Sequence, residues 1–295
     1  MNSQVLKNKK ILIIGLGMIG GSYAKGLNQY GIIPYGYDIN PDTLDYAIKN
    51  NIINERVNLN ENLQEADLVI LCLYPKNNIE WLKNNQKYLK KGALITDVSG
   101  IKEYLINEVK SFIREDLVFV SSHPMAGRET SGILVSDNKV FNNANYIIIP
   151  LREDVNEKEK EGIALIEELA SILGFKNIEV LPAKVHDELV SFLSQLTHVI
   201  AISLMNSRNV EEMIRYTGDS FRDLTRIAKI NENLWSELFL LNKEQLVRDI
   251  DDFSNELNMF KELLLNNKED DIKEKMILST KRRMLFDKSN KKVNE

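Results

Sequence analysis

Two hydrophobic periodicities divide the chain. Up to about residue 181, short apolar runs at residues 11–14, 32–38, 68–73, 93–96, 117–121, 146–149 and 178–181 alternate with charged stretches whose apolar residues recur at three- and four-residue spacing. The run 68–73 is continuous, as a strand buried on both faces requires. Asn40-Pro41-Asp42 supplies a cap, a proline at the first helical position and an acid in the first turn, and Gly92 and Gly174 close later helices. Repeated strand–helix units predict an α/β fold with a mostly parallel sheet covered on both faces. Past Pro182 the strand-like runs cease, and helical spacing of Leu, Ile, Phe and Met persists to about Phe286. The expected organisation is a sheet domain over residues 1–181, an all-helical domain over 182–286 and a frayed tail at 287–295. The charged segment 151–161 is a rival boundary.

The first run leads into Gly15-Leu16-Gly17-Met18-Ile19-Gly20-Gly21, a G-x-G-x-x-G turn opening a helix. Gly15 would serve the tight backbone angles, Gly17 the close approach of a pyrophosphate, and Gly20 the packing of helix on strand. The N–H groups at the helix start, at Met18 and Ile19, would face the phosphates. Alone this motif is weak, but the second run ends in Asp38, about twenty positions on, where a ribose 2′-hydroxyl would lie. The combination reads as a Rossmann-like dinucleotide site; the alternative is an ordinary βα turn with an exposed Asp. No Arg or Lys follows Asp38 to receive a 2′-phosphate, so NAD is expected rather than NADP.

Composition narrows the partners. A chain of 295 residues, 43% hydrophobic, supports one large or two moderate cores. A net charge of −5 without a long basic run argues against nucleic acid. The single cysteine, Cys72, lies in an apolar run and reads as core. The polar N-terminus and the absence of a twenty-residue apolar run predict a cytoplasmic protein with no membrane partner. There is no H-E-x-x-H, no cysteine pair and no G-x-S-x-G, so neither a metal site nor a serine nucleophile is expected.

Ligands of open α/β sheets lie at the carboxyl ends of strands, where Ser99, Gly100 and His123 fall. His123 precedes a loop rich in small residues and suits proton transfer near neutrality; the alternative is a loop histidine capping a turn. His198 shares one helix face with Ser194 and Gln195, as a pocket wall or a satisfied core histidine. His186, beside Asp187, reads as a capping or surface residue. Arg226 stands among apolar helical positions and needs an anion, either a buried carboxylate or a substrate. Trp235 either lines the pocket or packs.

The set Gly15-Leu16-Gly17-Met18-Ile19-Gly20-Gly21-Ser22, Asp38, Thr96-Asp97-Val98-Ser99-Gly100-Ile101-Lys102, Ser122-His123-Pro124-Met125-Ala126-Gly127, Ser194-Gln195-Leu196-Thr197-His198 and Thr225-Arg226-Ile227-Ala228 closely resembles prephenate dehydrogenases in order and spacing. The resemblance implies NAD-dependent oxidative decarboxylation of prephenate to 4-hydroxyphenylpyruvate in tyrosine biosynthesis, or the same reaction on arogenate to give tyrosine. It implies that His123 takes the proton of the ring hydroxyl, that Arg226 binds a carboxylate and His198 helps hold the substrate, and that the helical domain forms a homodimer. Three positions depart from the family pattern. Many members read Gly-Ser where this chain has Ser99-Gly100, so either Ser99 supplies the hydroxyl that meets substrate and nicotinamide or that contact is missing. Arg128 replaces a small hydroxyl residue, adding a cation at the substrate rim. Gln195 replaces a histidine whose hydrogen-bonding place an amide can fill. Neither a chorismate mutase segment before the first strand nor an ACT module after the helical domain is expected, so any feedback inhibition by tyrosine is expected at the active site. A β-hydroxyacid dehydrogenase shares the general architecture but is expected to use a catalytic lysine in its helical domain. The rival from another class is a non-catalytic NAD-binding regulator, which the Ser99-Gly100 order favours.

Overall fold

A computed structural model describes residues 4–55, 63–127, 130–209 and 211–291. Seven strands form one sheet: β1 (Ile11–Ile14), β2 (Tyr35–Tyr37), β3 (Leu68–Leu71), β4 (Leu94–Asp97), β5 (Val118–Pro124), β6 (Asn145–Pro150) and β7 (Asn177–Val180). Their spatial order is β2-β1-β3-β4-β5-β6-β7. All neighbours are parallel except β5 and β6, which pair antiparallel with His123 opposite Ile147. The chain leaves β1 toward one side for β2 and returns to the other for β3. This reversal opens a crevice at the carboxyl end of β1.

The pleat sends alternate residues of the central strands into two cores. Ile11, Ile13, Leu68 and Ile70 pack in one with Tyr23 and Leu27 of α2 (Met18–Gln29) and Ile166 and Leu169 of α6 (Glu157–Leu173); Leu6 of α1 (Gln4–Lys7) and Ala47 of α3 (Pro41–Lys49) belong to the same layer. Leu12, Ile14, Val69 and Leu71 pack in the other with Leu82 of α4 (Pro75–Asn85) and Leu105 and Ile106 of α5 (Glu103–Lys110). Local signals fix the helix ends. Asn40 accepts from Asp42 N–H, Asn156 and Glu159 form a capping box, and Gly174 closes α6 at φ 91°.

After Pro182 every described element is helical. α7 (Ala183–Val190) continues through a π-turn, Ser191–Gln195, into α8 (Leu196–Asn206). In the π-turn Leu196 N–H donates to Ser191 O, five residues back. The helix Ala183–Asn206 is long and apolar enough to cross a membrane by length and composition alone, although it holds no unbroken run of twenty apolar residues. A count of consecutive apolar residues stops at each isolated charge, whereas the whole helix contains few. On this helix His186, Asp187, Ser191 and Gln195 are buried, while Val185, Leu189, Phe192 and Leu193 are exposed beside Lys184 and Glu188. α9 (Asp219–Thr225), a 3-10 turn (Arg226–Ala228) packed on α8, and α10 (Glu232–Leu241) follow.

Contacts divide the chain into two compact units, Met1–Lys243 and Glu244–Glu295. The first holds the whole sheet and the helices through α10. The second consists of α11 (Lys243–Leu265) beyond its first residue and α12 (Glu269–Lys291), bridged by Lys275 and Glu256 at 2.8 Å. α12 runs through residues 287–291 of the expected tail, and 292–295 lie outside the described residues.

Candidate active site

Each glycine of the first turn has a distinct physical reason to be there. Gly15 sits at φ +90°, and a Cβ on it would meet Cys72 O at 2.8 Å. A Cβ on Gly20 would stand 1.9 Å from Gly15 O, so a side chain there would force α2 off the turn. Gly17 is different, because a Cβ on it would have nothing within 4 Å. No protein neighbour demands a glycine at that point, and the bare backbone faces open space at the start of α2, where Met18 and Ile19 begin the helix. Asp38 fastens the turn: Oδ2 accepts from Leu16 N–H at 2.8 Å and Oδ1 from Asn40 N–H at 2.9 Å. Its remaining lone pairs leave acceptor capacity for a hydroxyl. Cys72 packs against the first core, and burial raises its thiol pKa.

At the end of β4, the fully buried Asp97 gathers four donors: Ser99 N–H and Lys102 Nζ on Oδ2 at 2.9 and 2.8 Å, the Ser99 hydroxyl, and the Ser121 hydroxyl on Oδ1. Lys102 is itself fully buried, and burial lowers its pKa against the pull of Asp97. The Ser99 hydroxyl donates to Asp97 Oδ2, which leaves it only acceptor lone pairs to offer a ligand. The position that faces His123 is Gly100, where a Cβ would lie 3.8 Å from His123 Cε1 and 3.6 Å from the Leu238 side chain.

His123 lies in the last turn of pleat of β5, half-buried. Its Nδ1 lies 2.8 Å from His186 Nε2, and His186 Nδ1 lies 2.7 Å from Asp187 Oδ1. Asp187 in turn accepts from the N–H groups of Lys102 at 2.9 Å and Glu103 at 2.8 Å, capping α5. Burial, followed by the neighbouring His186 and Lys102 charges, holds the pKa of His123 well below its ordinary value. Burial and Lys102 bring His186 down to about 3. Burial pushes Asp187 up to about 6, opposed by the two N–H bonds and Lys102. At neutral pH this is a carboxylate with two neutral imidazoles. His186 is fully buried, which corrects its reading as a surface or capping residue. A His-Asp dipeptide at a helix start carries no sequence sign of what covers it. Here β5 and the start of α5 do so.

The helical segment supplies the other wall. His198 stacks on Trp235 with ring centroids 3.6 Å apart at 30°, its Nδ1 2.8 Å from Ser194 O. Burial lowers its pKa. α10 is tied to the sheet at the carboxyl end of β3, where Glu237 accepts from Lys76 N–H at 2.8 Å and Asn231 donates to Tyr74 Oη at 3.0 Å. Gln195, expected in the substrate pocket, is buried with both polar atoms engaged: Nε2 donates to Leu238 O at 3.0 Å and Oε1 accepts from Asn242 at 2.9 Å. Its amide joins helices, because α10 covers the face it shares with His198. Arg226 is exposed on its 3-10 turn rather than enclosed by apolar neighbours. Arg128 lies outside the described residues. Among the described residues, no three His, Cys, Asp or Glu side chains could jointly hold a metal ion.

Comparison with known proteins agrees with this architecture. Residues 23–176 match the nucleotide-binding domain of prephenate dehydrogenase, and residues 182–278 match its dimerization domain. The first match begins beyond the glycine turn, which therefore rests on its own geometry. The prephenate dehydrogenase of Lactococcus lactis is 33% identical over 261 residues, covering 85% of this chain and 70% of that protein. The cyclohexadienyl dehydrogenase of Zymomonas mobilis is 28% identical, covering 94% and 95%. The prephenate dehydrogenase of Aquifex aeolicus, solved with hydroxyphenyl propionate and NAD+, superposes with a TM-score of 0.83 at 29% identity, over 94% of this chain and 97% of that one. With both domains matched in order and the relatives aligned across most of their length, the chain belongs to the prephenate dehydrogenase family.

Proposed function

We propose that the chain catalyses NAD-dependent oxidative decarboxylation of prephenate to 4-hydroxyphenylpyruvate, a step of tyrosine biosynthesis, as a cytoplasmic homodimer. The observation that carries the reading is the placement, within one compact unit, of the open backbone at Gly17 and the half-buried His123 on the same edge of the sheet, at the carboxyl ends of the parallel strands β1 and β5. NAD fits the residues present: Gly15 and Gly20 shape the turn, Gly17 with the N–H groups of Met18 and Ile19 would hold the pyrophosphate, and Asp38 would accept from the ribose. When bound, it supplies the hydride acceptor. Asp38 would repel a 2′-phosphate, which favours NAD over NADP.

His123 accepts the ring hydroxyl proton through Nε2, which makes no hydrogen bond among the described residues. Such assistance is worth about 10²–10⁴ in rate. Arg226 binds a substrate carboxylate, and the stacked His198 and Trp235 form the wall against which the ring lies. Loss of the ring carboxylate as CO₂ aromatises the ring. The exposed apolar stripe Val185, Leu189, Phe192 and Leu193 supports dimerisation through the helical domain, as does the description of the family domain that matches it.

NADH absorbance tests the proposal, with purified protein, NAD and either prephenate or arogenate. Turnover with prephenate is expected. Turnover with arogenate alone would replace the substrate, and NAD binding without either turnover would favour a regulator.

A further inference from the structure

The three-residue chain His123–His186–Asp187 has a direction. Asp187, ionised, can only accept, and it already accepts from the N–H groups of Lys102 and Glu103. The 2.7 Å contact with His186 Nδ1 therefore requires a proton on that nitrogen. A neutral His186 then has a bare Nε2, which at 2.8 Å accepts from His123 Nδ1–H. That leaves the lone pair of His123 on Nε2. We propose that Asp187 and His186 are positioning residues that set the tautomer of His123, holding its proton on Nδ1 so that Nε2 faces the cleft as a base.

The arrangement is a store rather than a wire. His186 is fully buried, Asp187 is 3% exposed, and the chain of bonds ends on backbone N–H groups that cannot pass a proton onward. The fully buried Lys102, paired with Asp97, adds a fixed positive charge beside both imidazoles and discourages a second proton. A store suits the proposed reaction, on which this part rests, because its proton count closes. The C–H hydrogen leaves with its electron pair for the oxidised dinucleotide, and the hydroxyl proton passes to His123 Nε2. The electron pair of the breaking C–CO₂ bond then aromatises the ring, and Nε2 returns the proton to the same oxygen. No proton needs to be exported.

The tautomer can be read without turnover. The chain has three histidines, so ¹⁵N-imidazole NMR of the intact protein at pH 7.5, assigned with His198→Asn, resolves them. A protonated Nδ1 and bare Nε2 are expected for both His123 and His186; a protonated Nε2 on His123 would overturn the proposal. In Asp187→Asn the amide N–H₂ takes the place either of Oδ1, which meets His186 Nδ1 and the Lys102 N–H, or of Oδ2, which meets the Glu103 N–H, and in the first place it inverts both tautomers. The expected result is inverted ¹⁵N signatures and a kcat lowered by about 10²–10⁴ with KM and NAD affinity kept. Unchanged signatures and kcat would count against the assignment. If that variant does not fold, the spectrum of the unaltered protein still decides. Absence of turnover would defeat the proposed reaction while leaving the tautomer result standing.

Discussion

Replacing Gly17 and Gly20 one at a time by alanine separates binding from folding inside a single turn. At Gly20 the new Cβ would lie 1.9 Å from Gly15 O, about 1.5 Å short of ordinary contact, and the obstacle is backbone. Relief requires α2 to move off β1, opening the layer that holds Tyr23 and Leu27. Overpacking of this kind costs about 3 kcal/mol, which for a unit of this size is a fall in Tm of roughly 6–12 °C. At Gly17 nothing lies within 4 Å of the new atom, and φ is −69°. Stability should therefore change by no more than about 0.5 kcal/mol. The methyl would instead occupy the space where the pyrophosphate approaches, raising the Kd for NAD at least about tenfold, or about 1.4 kcal/mol. Thermal melting and NAD titration by protein fluorescence read the two effects. A Gly17→Ala protein that binds NAD as the parent does would refute the phosphate assignment. A Gly20→Ala protein that melts at the parent temperature would refute the close packing of helix on turn.

His123→Asn should lower kcat by about 10²–10⁴ while leaving NAD affinity unchanged in the same titration; retained turnover would remove His123 as the proton acceptor. Arg226→Ala should raise KM roughly tenfold or more with a smaller effect on kcat in steady-state assays, and an unchanged KM would take Arg226 out of the carboxylate site. Gln195→Ala should cost about 1–3 kcal/mol in denaturant melts, because Leu238 O and Asn242 lose their partner, with KM unaffected. The pH profile of kcat/KM should be level from pH 8 to about 7 and reach half its height near 6. Burial keeps His123 neutral through this range, where a histidine at its ordinary 6.5 would be half protonated at that pH, and the fall comes as Asp187 gains its proton. A midpoint at 6.5 or above would contradict this.

What was legible in the sequence was whatever depends on neighbours along the chain. The runs at β1 and β3 are apolar at every position because both faces are covered, and the glycine spacing encodes a turn whose constraints are local. His123 could be placed at a strand end for the same reason. What escaped depends on neighbours across the fold. His186 and Asp187 look like a charged helix start until β5 and the start of α5 close over them. Asp97 and Lys102, five residues apart, look solvated and are fully buried as a pair. Ser99 and Gly100 occupy a turn, where no periodicity tells which of two adjacent residues faces His123. Arg226 carries helical spacing on both sides yet sits on an exposed 3-10 turn, because α9 ends just before it.

The π-turn at Ser191–Gln195 carries one residue more than a regular helix needs between its two flanks. Deleting any one residue of that turn would let the segment relax into continuous α-helix with almost the same composition and an improved hydrogen-bond ladder. Straightening the turn at full length would instead rotate everything beyond it by about 100° relative to His186 and Asp187, and Gln195 would leave Asn242 and His198 would leave Trp235. The deletion cancels that rotation, so a chain one residue shorter within the turn keeps the same wall of the cleft on a regular helix. The wide turn therefore absorbs a change of length, and an alignment gap placed here disturbs the cleft less than one placed in either flank.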